Sequence, residues 1–499
     1  MEHELIAAVD LGSNSFRLQV GRCVEDQIYP LDGLKEVVRL AAGLTPAKSL
    51  DAASRERGIA ALRRFGERLR GFDPDSVRAV ATNTLRVAKN APEFLQEAEA
   101  ALGFPIEVIA GREEARLIYV GVAHCLPDPH RQQLVVDIGG GSTEFIIGKS
   151  FQPVQLESLY MGCVSYSLRY FPDGEVDKRS FREAELAARR ELQAIGYPYR
   201  ETGWERAVGS SGSAKALLDV LEQNGWSQGG IRLEGLETFR NALIKAGSVF
   251  RLDLPGLKGD RLPVIPGGLA IMTAVFKEFA LEHLAFSEGA LRLGVLYDLL
   301  GRYHHHDLRD ATVQAFARRY DTDAAHADRV AETALTLLSQ IQPASLDGDH
   351  PDHRFLGWGA RLHEIGVSVA HSGYHKHSAY ILANADMPGF SKMDQGRLAR
   401  IVLAHRGKLE RLATLDAGSA DWRLIGCLRL AAVLHRARDG RGTPPVELRA
   451  DGRELTLLAD AGWLEEHPLT AAALADEERQ WGLIGRPLRV LRGVLQAAA

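Results

Sequence analysis

Two stretches of this chain are written to one plan, and a chain carrying both has few folds open to it. The first reads Ile6-Ala7-Ala8-Val9-Asp10-Leu11-Gly12-Ser13-Asn14-Ser15-Phe16-Arg17-Leu18-Gln19-Val20-Gly21; the second reads Leu134-Val135-Val136-Asp137-Ile138-Gly139-Gly140-Gly141-Ser142-Thr143-Glu144-Phe145-Ile146-Ile147-Gly148. In each, an apolar run delivers a carboxylate to a turn of glycine and small hydroxyl residues, and a β-prone run closes on a glycine eleven residues after the Asp. Such turns usually open a helix, yet Phe145-Ile146-Ile147 is β-prone and ends too soon for one. Each copy therefore reads as strand, turn, strand, one half of a duplicated unit. The glycine triplet removes every side chain that could hold an anion away from backbone N–H groups, which makes the turn a candidate phosphate cradle, with a plain tight hairpin as the alternative. Asp137 and Glu144 face the same space and could hold a divalent cation. Two facing hairpins could clamp one polyphosphate group.

The rest of the composition narrows the field. With 499 residues, 45% hydrophobic and 25% charged, the chain has the balance of a globular protein and the length for several domains. A net charge of −5 supplies no general basic field, so nucleic acid is not an expected partner and any polyanion must be met by a local patch. Cys23, Cys125, Cys163 and Cys427 form no CxxC pair, which suits a reducing compartment and argues against thiolate metal sites. The first residues lack a basic region with an apolar core, and no run approaches about 18 apolar residues, so the expectation is a cytoplasmic chain without a membrane span.

In chain order, Lys35 to Leu40 reads as a strand, and Ser54 to Leu69 as a helix with an arginine-rich outer face. Val77 to Ala81 is a strand that ends ahead of Arg86, where a guanidinium can reach an anion at the sheet edge or merely cap a loop. After a strand at Ile106 to Ile109, Glu113 and Glu114 stand in the first turn of a helix. They suit the helix dipole there; alternatively one carboxylate points into a cleft and takes a proton from water. A charged helix spans Asp177 to Ile195. Trp204 to Gly209 then meets Ser210-Ser211-Gly212-Ser213, a helix start whose N–H groups suit an anion or are simply capped by the serines. No GxxxxGK[ST] occurs, which excludes a P-loop by pattern. Further helices open at Pro266 and Phe286.

From His304 the texture becomes helical: Ala311 to Tyr320, Ala324 to Ile341, Phe355 to Val369, Ser378 to Ala385, Leu398 to His405 and Trp422 to Ala437. His326, His363-Glu364, His371, His375, His377 and His405 give this module the order of an HD-type metal phosphohydrolase. The doublet here is His-Glu rather than His-Asp, which argues against a working metal site. His304-His305-His306 reads as a linker. The tail carries strands at Val446 to Leu448 and Glu454 to Leu458, a helix at Leu469 to Trp481 and a last strand at Leu488 to Leu491. The expected domains are 1–121 and 122–302 as two α/β halves, 303–444 as an all-α HD-like domain and 445–499 as a small α+β domain.

Asp10-Leu-Gly-Ser-Asn-Ser-Phe16, Ala81-Thr-Asn-Thr-Leu-Arg86, Glu113-Glu-Ala-Arg-Leu-Ile118, Asp137-Ile-Gly-Gly-Gly-Ser-Thr-Glu144, Gly209-Ser-Ser-Gly-Ser213 and Pro266-Gly-Gly-Leu-Ala270 occur in one order. Together they resemble the exopolyphosphatase and guanosine-pentaphosphate phosphohydrolase family over essentially the whole length. Gly301 to Arg309 and His371 to Leu382 lean toward its exopolyphosphatase branch. The resemblance implies duplicated α/β halves of the actin, sugar-kinase and heat-shock-chaperone type around a cleft, and a homodimer. It assigns Glu114 as general base, and Asp137 and Glu144 to the divalent ion. Asp10, Ser13, Asn14, Ser15, Arg17 and Arg86 fall to the substrate, and Gly139, Gly140, Gly141, Ser142, Thr143, Ser211, Gly212 and Ser213 to the phosphate cradles. Mg²⁺ is the implied cofactor, with K⁺ a candidate activator.

The expected activity is processive removal of terminal phosphate from inorganic polyphosphate by water that Glu114 activates. One rival keeps the hydrolase and changes the substrate to guanosine pentaphosphate. The other is a module that binds polyphosphate or nucleotide without hydrolysis, against which the Glu113-Glu114 pair argues.

Overall fold

The two repeated stretches form two β-hairpins, each at the centre of its own sheet. The computed structural model describes residues 5–24, 27–126, 128, 130–303, 307–348, 350–412, 415–416, 418–438 and 445–493; the His304-His305-His306 run lies outside them. Strands β1 (Leu5–Leu11), β2 (Phe16–Val24), β3 (Gln27–Glu36), β4 (Val77–Ala81) and β5 (Ile106–Val108) make a sheet of order β3-β2-β1-β4-β5. Strands β6 (Gln133–Ile138), β7 (Thr143–Lys149), β8 (Gln152–Leu159), β9 (Arg206–Ser210) and β10 (Ala285–Phe286) make a second, β10-β9-β6-β7-β8. Strand for strand the two orders are the same: an antiparallel meander, then parallel strands added on the other side of its first member. Register repeats as well. Asp10 pairs with Arg17 across the first hairpin and Asp137 with Glu144 across the second. This is the duplicated actin-type architecture that the resemblance implies.

Near-continuous apolar runs such as β6 need cover on both faces, and the helices supply it. The helices Ala52–Arg68 and Ala91–Leu102 bury Leu62, Phe65 and Phe94 against the first sheet, while Lys178–Thr202 and Ile265–Phe279 cover the second. Two more, Gly111–Ala123 and Leu291–Tyr303, share a core with Ile6, Ala8 and Val80 of one sheet and Val135, Ile146 and Val208 of the other. The helix that carries Glu114 is thus fixed to both halves at once.

Some sequence expectations shift. The strand read at Lys35 to Leu40 ends at Glu36 and starts at Gln27; it is an edge strand, which tolerates Pro30 and Gly33. The charged helix runs past Ile195 to Thr202, over Pro198. Phe286 closes β10, and the helix after it begins at Leu291. Leu262–Phe279 is long and apolar enough to cross a membrane by length and composition, contrary to the reading that no run comes near, but 78% of it is buried inside the protein, as a core helix is.

Residues 1–307 form one compact unit and 308–499 another. In the second, the helices Ala324–Ile341, Pro351–Leu362, Lys392–Ala404 and Asp421–Leu434 share one core with β11 (Val446–Asp451), β12 (Glu454–Asp460), β13 (Leu488–Gly493) and the helix Pro468–Leu483. Trp422 meets Trp481 edge-on, with ring centroids 6.1 Å apart. Within it His326, His363 and Glu364 come together, one ligand atom of each within 4.8 Å of the others. Arg438 Nη2 donates to Glu364 at 2.5 Å and so already compensates that carboxylate.

Candidate active site

One cavity of about 290 Å³ in the first unit collects almost every residue the sequence singled out. Asp10, Ser13, Asn14, Ser15 and Arg17 reach it from the first hairpin. Asp137, Gly139, Gly140, Gly141, Ser142 and Glu144 come from the second, Ser211, Gly212 and Ser213 from the start of the helix Ser211–Gln223, and Glu114 from the helix Gly111–Ala123. Two expected residues do not line it. Thr143 is fully buried and its hydroxyl donates to the Met161 carbonyl; Arg86 stands behind Glu114.

Backbone geometry explains the cradle. The carbonyls of Gly139 and Gly140 accept from the N–H groups of Cys163 and Val164, each at 2.9 Å, which engages both oxygens at the start of the helix Cys163–Tyr170. A Cβ on Gly140 would lie 2.9 Å from Ser13 Cβ, and one on Gly141 would lie 2.3 Å from Asn83 Oδ1. The loops of the two halves meet there, at a separation only glycine allows. Ser211 has φ of 66°, the left-handed region costly for a residue with a side chain, and its hydroxyl donates to Asp137 Oδ2 at 2.5 Å. Ser210 donates to the same oxygen at 2.6 Å.

Four buried carboxylates share this cavity. Burial pushes Asp10 up to about 7 against the pull of Arg292, with repulsion from Glu114 and Asp137 adding to it. Burial also raises Asp137, against the hydrogen bonds from Ser210 and Ser211. Glu144 stands well above the usual carboxylate range because it is buried and faces Glu114 and Asp137; its Oε1 accepts from Ser158 at 2.8 Å. Glu114 is raised by burial too, held back by Arg86, whose Nη1 donates to Glu114 Oε2 at 2.7 Å and to the Ile109 carbonyl at 3.0 Å. Glu113 is turned away: both of its oxygens accept from Arg116 at 2.8 Å, inside a buried network with Asp298 and Arg78. Of the two neighbours, only Glu114 faces the cavity.

Cations oppose these carboxylates. Arg17 is lowered to about 10 by burial and by repulsion from Arg292 and Arg261, so three guanidinium groups converge. Arg261 and Arg292, with Lys35 and Lys215, also line the cavity, and none of the four was among the expected site residues. Asn83 is a further addition. It is 7% exposed and its Nδ2 has no hydrogen-bond partner, as is true of Asp10 Oδ1 and Asn14 Oδ1. Buried polar atoms left unpaired around one cavity point to a ligand that pairs them. Asn83 lies inside the Ala81 to Arg86 motif quoted above, so its position beside Arg86 was the available signal; Arg292 stands in the first turn of the helix Leu291–Tyr303, and Arg261 sits in an irregular loop where no pattern marks it.

The Ppx/GppA phosphatase family model matches residues 19–303, and the model of Ppx/GppA phosphatase domain III matches 308–478. The chain is 40% identical over 491 residues to the guanosine-5'-triphosphate,3'-diphosphate pyrophosphatase of Aeromonas hydrophila, a match covering 98% of this chain and 99% of the relative. It is 39% identical, with the same coverage, to the protein of that name in Aeromonas salmonicida. The crystal structure of an exopolyphosphatase from Cytophaga hutchinsonii superposes with a TM-score of 0.54 at 24% identity, covering 59% of this chain and 97% of that one.

Proposed function

This chain belongs to the Ppx/GppA phosphatase family, and from that premise we propose that it hydrolyses the terminal phosphoanhydride bond of guanosine 5'-triphosphate 3'-diphosphate. The observation that carries the reading is the meeting of buried carboxylates and three guanidinium groups across one glycine-lined cavity. The choice of nucleotide over inorganic polyphosphate rests on the names of relatives 40% and 39% identical over nearly the whole chain. It reverses the preference drawn from the sequence. Inorganic polyphosphate, whose terminal bond is the same, is the second reading.

Water attacks the terminal phosphorus in line, the bond from that phosphorus to the bridging oxygen breaks, and orthophosphate leaves from one side with the shortened nucleotide on the other. Glu114 accepts the proton of the attacking water. Arg86 holds the Glu114 carboxylate in one orientation and favours its ionised form against the effect of burial. The N–H groups of Gly140 and Gly141 in the turn and of the Ser211 helix start hold phosphoryl oxygens, while the Gly139 N–H closes the turn on the Ser142 carbonyl at 2.9 Å; Arg17, Arg261 and Arg292 balance the charge of the phosphate chain. A hard divalent cation fits the donor set: the oxygens of Asp10, Asp137 and Glu144 are buried and mutually repelling, and Asp10 Oδ1 has no other partner. Those three would hold Mg²⁺, which when bound neutralises charge on the phosphoryl oxygens.

Phosphate release should be compared for guanosine pentaphosphate and long-chain polyphosphate at equal concentrations of terminal groups. The reading expects the larger kcat/KM with guanosine pentaphosphate. A larger value with polyphosphate would restore the second reading, and no release from either would leave a binding module.

A further inference from the structure

Two of the carboxylates in the cavity are held by serines from neighbouring elements. Ser210 and Ser211 donate to Asp137; for Glu144 the donor is Ser158, which lies outside every motif quoted above. Ser158 stands on β8 directly across from Glu144 on β7, so the two side chains leave the sheet on one face. Its hydroxyl donates to Glu144 Oε1 at 2.8 Å. The glutamate needs such an anchor, because it is buried beside Glu114 and Asp137, whose negative charges push it away. The Ser142 hydroxyl favours the same carboxylate from the turn.

Strand β8 is the edge of its sheet, and the helix Gly111–Ala123 is laid against it. Arg112 of that helix pairs with Glu157, and Gly111 comes so near that a Cβ there would stand 2.7 Å from both Cβ and Oγ of Ser158. The same Cβ would stand 3.8 Å from Arg86 Nη2. One small side chain thus bonds Glu144 and packs on the first residue of the helix that carries Glu114. We infer that Ser158 is a positioning residue: it sets the orientation in which Glu144 meets the divalent ion and ties that carboxylate to the helix of the general base. The inference rests on the proposed hydrolase and deepens it. Hydrogen bonds to a ligating group from outside the ion's own shell change metal affinity about 10- to 100-fold when removed.

The test uses the full chain and Ser158→Ala, which keeps the Cβ that packs on Gly111 and removes only the donor. Mn²⁺ binding to the substrate-free protein is followed by electron paramagnetic resonance, and kcat is measured against Mg²⁺ concentration. Mn²⁺ affinity should fall about tenfold, and the Mg²⁺ needed for half-maximal rate should rise by about the same factor. Tm and kcat at saturating Mg²⁺ should stay close to the wild-type values. Unchanged Mn²⁺ affinity would overturn the role. So would a loss of kcat that excess Mg²⁺ does not restore, since Ser158 would then support the fold rather than orient a ligand. The binding readout needs no substrate, so failure of the substrate reading shows separately, as Mn²⁺ affinity that Ser158→Ala weakens in a protein releasing no phosphate from guanosine pentaphosphate.

Discussion

Glu114→Gln should lower kcat by about three orders of magnitude while substrate affinity, measured by calorimetry, changes only a few-fold. The expectation follows from position. Glu114 is the cavity-facing member of its pair, because Glu113 is committed to Arg116, and the amide of glutamine keeps the shape and an acceptor for Arg86 while losing the ability to take a proton. The pH dependence carries the same signature. Burial raises the Glu114 carboxyl above its ordinary value, so the wild-type enzyme should lose kcat as pH falls through that raised pKa, from a higher pH than a solvated glutamate would give. The residual activity of the variant should lack that limb. If binding were lost together with turnover, Glu114 would be holding substrate rather than activating water.

Gly294→Ala should be nearly as damaging, for a reason remote from proton transfer. The helices Gly111–Ala123 and Leu291–Tyr303 cross so closely that a Cβ on Gly294 would stand 1.7 Å from the Leu117 carbonyl oxygen, and one on Gly121 would stand 2.2 Å from that of Ala290. Backbone oxygens inside a helix cannot swing aside as side chains can, so the helices must separate. Overpacking of this kind costs about 3 kcal/mol, which for a unit of this size is a fall of at least about 5 °C in Tm. Glu114 lies one turn before Leu117 and Arg292 two residues before Gly294, so kcat should fall as well. The control is Gly396→Ala, an exposed helical glycine whose Cβ meets nothing within 4 Å; it should leave Tm unchanged or slightly raised. Equal Tm values for the two variants would contradict the close crossing.

The particular residues show which parts of this architecture a sequence can carry. The duplicated hairpin was legible because strand pattern and turn chemistry agree: apolar runs, an Asp, small residues, a closing glycine, and the register that follows from them places Asp10 and Asp137 alike. The helices of the second unit were legible from their apolar spacing, with Ala324–Ile341 matching residue for residue. Edge strand β3 runs over Gln27–Glu36 rather than Lys35 to Leu40, and it holds Pro30 and Gly33, residues a central strand excludes and an edge admits, so the pattern expected of a strand is weak there. Within the site, residues on repeated turns could be found by pattern. Residue type and spacing alone did not choose between Glu113 and Glu114, since both suit a helix N-terminus; the family resemblance pointed to Glu114, and the buried Arg116 and Asp298 network turns Glu113 away from the cavity. Arg261 reaches the cavity from an irregular loop, where tertiary structure alone decides what a guanidinium meets.

Hydrolysis in ¹⁸O-labelled water shows which phosphorus the attacking water reaches. With guanosine pentaphosphate as substrate and Mg²⁺ present, mass spectrometry of the products should find the label in orthophosphate, a single ¹⁸O per molecule, and none in the shortened nucleotide. Label in the nucleotide, or release of pyrophosphate in place of orthophosphate, would contradict attack by water at the terminal phosphorus in this cavity.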